Sequence, residues 1–135
     1  MVFQNRLAVF ALIVPLFLTS CAGGSSGFLA IFRPPQITWN DTSWCTPIEL
    51  KIALNKISRK FGPIKVHSTH RWPLENARKG GKKKSYHLTC RAVDFSVPGN
   101  PSEVKAYLRS LWEVGGYSYY SKGFYHIDNG PRRTW

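Results

Sequence analysis

Four side chains in the second half of this 135-residue chain have the types and spacing to do chemistry together: His87, Asp94, His126 and Asp128. Ala92-Val93-Asp94-Phe95-Ser96-Val97 alternates as a strand, with Val93, Phe95 and Val97 on one face and Ala92, Asp94 and Ser96 on the other. A carboxylate in the middle of such a strand needs a partner. Phe124-Tyr125-His126-Ile127-Asp128 alternates too, placing His126 and Asp128 on one face with Phe124, and His87 stands seven residues before Asp94. Two histidines and a carboxylate can give three ligands to a tetrahedral zinc ion and leave the fourth position for water. Such a metal lowers the pKa of that water and polarises a carbonyl, which is hydrolytic chemistry. The spacing equally suits an ion pair between Asp94 and Arg91 or a lysine, so these residues alone leave both readings open.

The elements that must position them are legible in part. Pro47 suits a first helical position, and Ile48, Ile52, Leu54 or Asn55, Ile57 and Phe61 recur at spacings of three and four, predicting a helix stopped by Gly62-Pro63. Ile64 to Ser68 reads as a short strand. Thr69 to Lys84 is polar, basic and glycine-containing, a long loop with room for one helical turn. Asn100-Pro101-Ser102-Glu103 opens a second helix, with Val104, Leu108, Leu111 and Trp112 on one side and Gly115-Gly116 at its end. Gly116–Tyr120 and Phe124–Asp128 flank Ser121-Lys122-Gly123 as a hairpin. The order predicts an α+β domain, a small antiparallel sheet with flanking helices.

The chain carries 19 Lys+Arg against 7 Asp+Glu, a net charge of +12, which calls for an anionic partner: nucleic acid, anionic lipid or acidic wall polymers. Its 14% aromatic content excludes a purely disordered chain. Arg6 is the lone charge before an apolar run from Leu7 to Leu18, too short to span a membrane and suited to an export signal. Leu18-Thr19-Ser20-Cys21 resembles a bacterial lipobox, which implies lipidation of Cys21; an ordinary signal peptide with an incidental cysteine is the alternative. Either way the chain is expected outside the cytoplasm, anchored through Cys21 and facing the periplasm or wall, with no nucleic-acid partner. The expected division is a signal over 1–20, a lipidated cysteine and tether over 21–40, and a domain over 41–135. Phe28 to Asp41 reads as an irregular or extended lead-in. In an oxidising compartment Cys45 and Cys90 are expected to bridge, with two buried thiols as the alternative.

Ser85-Tyr86-His87-Leu88-Thr89-Cys90-Arg91-Ala92-Val93-Asp94 resembles the Ser-x-His-x-x-Gly-x-Ala-x-Asp motif of the zinc D-alanyl-D-alanine carboxypeptidases and murein endopeptidases. Ser68-Thr69-His70-Arg71 resembles their Ser-x-Tyr-Arg segment, Asn76 and Gly80-Gly81 precede the motif as theirs do, and Gly116-Tyr117 to Trp135 resembles the closing strand and tail of the small endopeptidase branch. The resemblance implies a hedgehog/D-Ala-D-Ala-peptidase-like fold, zinc on His87, Asp94 and His126, and Arg71 on the substrate peptide, where its planar fork donates paired hydrogen bonds. It implies a zinc peptidase cutting stem or cross-link peptides of peptidoglycan, with a non-catalytic wall-binding lipoprotein as the alternative. Two departures bear on this. Cys90 replaces the usual Gly, and Gly123 stands where many members carry a catalytic Glu. Asp128 is then the expected substitute base, or else an acceptor that orients a ligand; His70, in the usual Tyr position, either stabilises the oxyanion or lies idle. Arg78 to Lys84, with Arg132-Arg133, is the densest charge, read either as a lure for acidic wall groups or as a solvated loop.

Overall fold

A computed structural model describes residues 34–135. The signal, Cys21 and most of the tether lie outside these residues. Strands β1 (Ile37–Trp39), β2 (Ile64–Ser68), β3 (Ala92–Ser96), β4 (Gly116–Tyr120), β5 (Phe124–Asp128) and β6 (Arg133–Thr134) form one sheet in the order β1-β2-β3-β5-β4-β6. The central ladders, β2 with β3, β3 with β5 and β5 with β4, are antiparallel as expected, while the two edge strands add parallel pairs. The sheet is therefore mixed, and its first strand comes from the lead-in expected to be irregular or extended. Three residues of β1 carry too little alternation to announce a strand; pairing with β2 makes it one.

Helices α1 (Ile48–Phe61) and α3 (Pro101–Ser110) share a core with one face of the sheet, where Val66, Val93, Phe95, Tyr125 and Ile127 are buried. The phase of α1 differs from the expected stripe. Leu50, Ala53, Leu54 and Ile57 are buried, whereas Ile48 is 64% exposed, so the apolar face runs at i, i+3, i+4 and i+7 from Leu50. Each fully buried Leu or Ile contributes roughly 1.5–3 kcal/mol relative to exposure. In α3 the Asn100 side chain accepts from Ser102 N–H at 2.8 Å, with Pro101 in the first turn. Val104 and Leu108 are buried. This helix stops at Ser110, short of the glycine pair, because Leu111 turns to an extended conformation that keeps its side chain in the core and leaves Trp112 exposed.

The loop after β2 holds helix α2 (Pro73–Arg78) and a 3-10 turn over Tyr86–Thr89, which pack together beside β3. Cys45 and Cys90 are bridged, with their Cα atoms 5.7 Å apart. Among the described residues no helix is long and apolar enough to cross a membrane.

Candidate metal centre

Register builds the site. Ser68 pairs with Asp94, Asp94 with His126, and His126 with Ser118, so one polar row crosses four strands on the face away from the core. The next row pairs Ala92 with Asp128 and Asp128 with Gly116. His87 arrives from the 3-10 turn, and its Nε2 lies 3.1 Å from Asp94 Oδ1 and 3.2 Å from His126 Nδ1. His126 Nδ1 is 2.8 Å from the same Asp94 oxygen. All three residues are buried, and one potential ligand atom from each lies within 4.8 Å of the others.

The surroundings orient both rings. His87 Nδ1 faces the Thr69 carbonyl at 2.6 Å, and a carbonyl can only accept, so that nitrogen holds the hydrogen and Nε2 keeps its lone pair. His126 Nε2 faces Asp128 Oδ2 at 3.2 Å and donates to it, while Nδ1 faces Asp94 Oδ1 at 2.8 Å and offers its lone pair once a cation displaces the proton there. Asp94 Oδ2 accepts from Arg71 Nη2, which frees Oδ1 for the histidines. Two lone pairs and a carboxylate oxygen at these separations repel unless a proton or a cation sits among them. Two neutral imidazoles and one carboxylate therefore fit a metal ion.

Without a metal, electrostatics favour a proton on His126 Nδ1, in the place a cation would take. Burial pushes the Asp94 carboxyl up, but hydrogen bonds from His126 and His87 overcome it and hold the group well below the usual carboxylate range. Burial pushes His126 down, and its bonds to Asp128 and Asp94 outweigh this, so its pKa is raised. Asp128 is lowered: desolvation opposes its charge, while His126, the Gly130 N–H and Arg133 stabilise it.

Residues 21–128 match the family described as Peptidase M15. This chain belongs to the M15 peptidases. Among curated relatives, it is 44% identical over 59 residues to the probable peptidoglycan L,D-endopeptidase MepK of Haemophilus influenzae, covering 42% of this chain and 31% of that one. It is 41% identical over 64 residues to the peptidoglycan L,D-endopeptidase MepK of Escherichia coli K12, covering 46% and 35%. The chain thus spans about a third of the length of these relatives. No solved structure gives a significant match.

Within this M15 chain, Asp128 is fully buried and its oxygens are taken: Oδ1 by Gly116 N–H, Gly130 N–H and Arg133 Nη1, and Oδ2 by His126 Nε2 and Arg133 Nη2. It lies at the ring nitrogen of His126 opposite the one that meets Asp94. Arg71 also donates from Nε to Ser68 Oγ at 2.8 Å, and it lines a cleft of about 450 Å³ with Asp94, His67, Lys79, Lys122 and Gly123. The structure does not join His70 to the three ligand candidates; its ring packs edge-on against exposed Trp72, centroids 4.9 Å apart. Arg132 is exposed but held by backbone carbonyls, and Arg133 is half-buried. Arg132 donates to the carbonyls of Arg109, Leu111 and Val114, and Arg133 pairs with Asp128. Lys82, Lys83 and Lys84 are exposed.

Three contributors escaped the sequence reading. Thr69 acts through a backbone carbonyl, which has no residue signature. Trp135 lies against the His126 ring at 5.3 Å and receives Ser118 Oγ on its carbonyl at 2.7 Å. His67 lines the cleft with Nε2 2.9 Å from Ser96 Oγ; the alternation of Ile64–Ser68, read for both faces, does place it opposite Val66.

Proposed function

We propose that this M15 chain is a zinc-dependent endopeptidase acting on peptidoglycan peptides, in the manner that its relatives' names describe. The observation that carries this reading is the convergence of His87 Nε2, His126 Nδ1 and Asp94 Oδ1 at the edge of a cleft also lined by Arg71. His87, Asp94 and His126 would hold the zinc, which when bound supplies a Lewis acid and an acidified water. Asp94 stays ionised and shares its charge between the ligand side and Arg71. Thr69 and Asp128 keep the imidazole protons on the outer nitrogens. Arg71 Nη1 has no partner among the described residues, and it donates to a carbonyl or carboxylate of the bound peptide. Asp128 orients His126 and does not accept the proton of the attacking water, because both its oxygens are engaged.

The decisive experiment is metal analysis of the purified chain followed by digestion of sacculi. About one zinc per chain, with peptide products that disappear in His126→Ala, is the expected result; a chain that binds no zinc overturns it. A non-catalytic wall-binding role is favoured by one feature: apart from Asp94, already committed, no carboxylate lines the cleft among the described residues, and Gly123 leaves that place empty. Zinc binding without turnover on stem and cross-link substrates would select that role. We further propose that Cys21 carries a lipid anchor that holds the exported chain at a membrane, facing the periplasm or wall. Palmitate labelling lost in Cys21→Ala is the expected outcome, and labelling that persists would remove the anchor.

A further inference from the structure

Cys90 follows the 3-10 turn that carries His87, and its backbone is left-handed, φ 57 and ψ 18. Among the described residues it is the sole non-glycine with positive φ. A β-carbon disfavours that conformation, which glycine adopts without cost, and cysteine offers no side-chain hydrogen bond to compensate as asparagine does. What Cys90 has is its bridge to Cys45. The left-handed turn is also what closes the 3-10 segment: the N–H groups of Cys90 and Arg91 both reach the Tyr86 carbonyl, the latter at 2.9 Å.

The other end of the bridge lies in a loop that already reaches His87 by a second route. Asp41 Oδ2 accepts from Thr69 N–H at 2.8 Å, and Thr69 Oγ1 donates to the Thr42 carbonyl at 2.6 Å. Thr69 in turn presents its carbonyl to His87 Nδ1. The loop over 41–45 therefore fixes His87 from both sides, orienting the ring through Thr69 and seating its backbone through Cys90.

We propose that the Cys45–Cys90 bridge is a positioning device for His87, enforcing at Cys90 the left-handed turn that a glycine would adopt unaided, and so presetting Nε2 for the metal. The proposal rests on the reading of His87 as a ligand. Cysteine at this place makes the quality of the metal site depend on oxidation.

The test compares the full chain in detergent, oxidised, with Cys45→Ala/Cys90→Ser and Cys45→Ala/Cys90→Gly. Zinc affinity is measured by chelator competition at a temperature where circular dichroism shows each variant folded, and the His87 tautomer is read by nitrogen-15 NMR without metal. The serine variant, which keeps the β-carbon and loses the bridge, should bind zinc at least tenfold more weakly and show mixed His87 tautomers. The glycine variant should return to within about threefold of the oxidised protein with Nδ1–H restored. Equal affinity for the serine variant and the wild type overturns the proposal. So does a glycine variant as weak as the serine one, or one that does not fold, because the bridge would then serve the whole domain and not this turn. If the serine variant alone fails to fold, the glycine variant decides. Failure of the wild type to bind zinc would sink the metal reading, while the tautomer comparison would still judge the positioning.

Discussion

At the scale of single residues, the site is a matter of where two protons sit. Asp128→Asn retains the size of the side chain but removes the charge and can present its amide to His126 Nε2, reversing the ring's polarity. Zinc affinity should fall about 10–100-fold, the usual effect of losing such an orienting partner; unchanged affinity in a chelator competition would show that His126 is oriented by something else. The raised pKa of His126 gives a second prediction. Metal needs the neutral ring, so zinc affinity should drop about tenfold per pH unit once the pH falls below that raised value, beginning above the ordinary 6.5. Stability without metal runs the other way for this group: its contribution is complete below 6.5 and is lost as pH rises through the folded value. Asp94 contributes above 3.8, and that part is lost as pH falls through its depressed folded value. Melting curves across pH 5–8, a range of roughly neutral conditions in which stability usually peaks, should therefore slope downward without zinc and upward with it.

At the scale of elements, the two faces of the sheet divide the labour, and they should be separable by mutation. Leu54→Ala in α1 removes a fully buried side chain remote from the polar row and should cost about 2–5 kcal/mol in urea unfolding without altering zinc stoichiometry. Gly116→Ala acts on the other face: a β-carbon there would lie 2.4 Å from Asp128 Oδ2 and 2.9 Å from Arg133 Cζ, so the carboxylate behind His126 must move. It should cost about 1–3 kcal/mol and weaken zinc binding as well; a loss of stability with intact affinity would show that Asp128 can shift without consequence. These elements also mark how far the sequence could be read. Strands β3 and β5 and their polar faces follow from alternation, because both are long enough to show a period of two. The ligand set and the position of Arg71 were read from motif resemblance. The phase of α1 was not legible, since Ile48 and Ile52 are as apolar as Leu50 and Leu54, and which stripe is buried depends on the sheet it meets. Edge strands β1 and β6 are too short to carry a pattern. Backbone acceptors such as Thr69 have none.

At the scale of the whole molecule, the bridge closes a loop of 45 residues around α1, β2 and α2. The chain-entropy account assigns such a loop about 4 kcal/mol at 25 °C. Denaturation of the chain with and without dithiothreitol should differ by about that much, and a difference near zero would mean that the reduced chain keeps the same restraint by other contacts. The strand order adds a consequence in time. Everything inside that loop, including His87, is made before β4 and β5, and His126 follows His87 by 39 residues. A chain emerging from its N-terminus can close the bridge and shape the first half of the site while β3 still has an open flank. The third ligand exists only when the last hairpin zips onto that flank, so tight capture of an ion marks a finished chain, and a truncated one is left with two ligands and an unpaired strand edge.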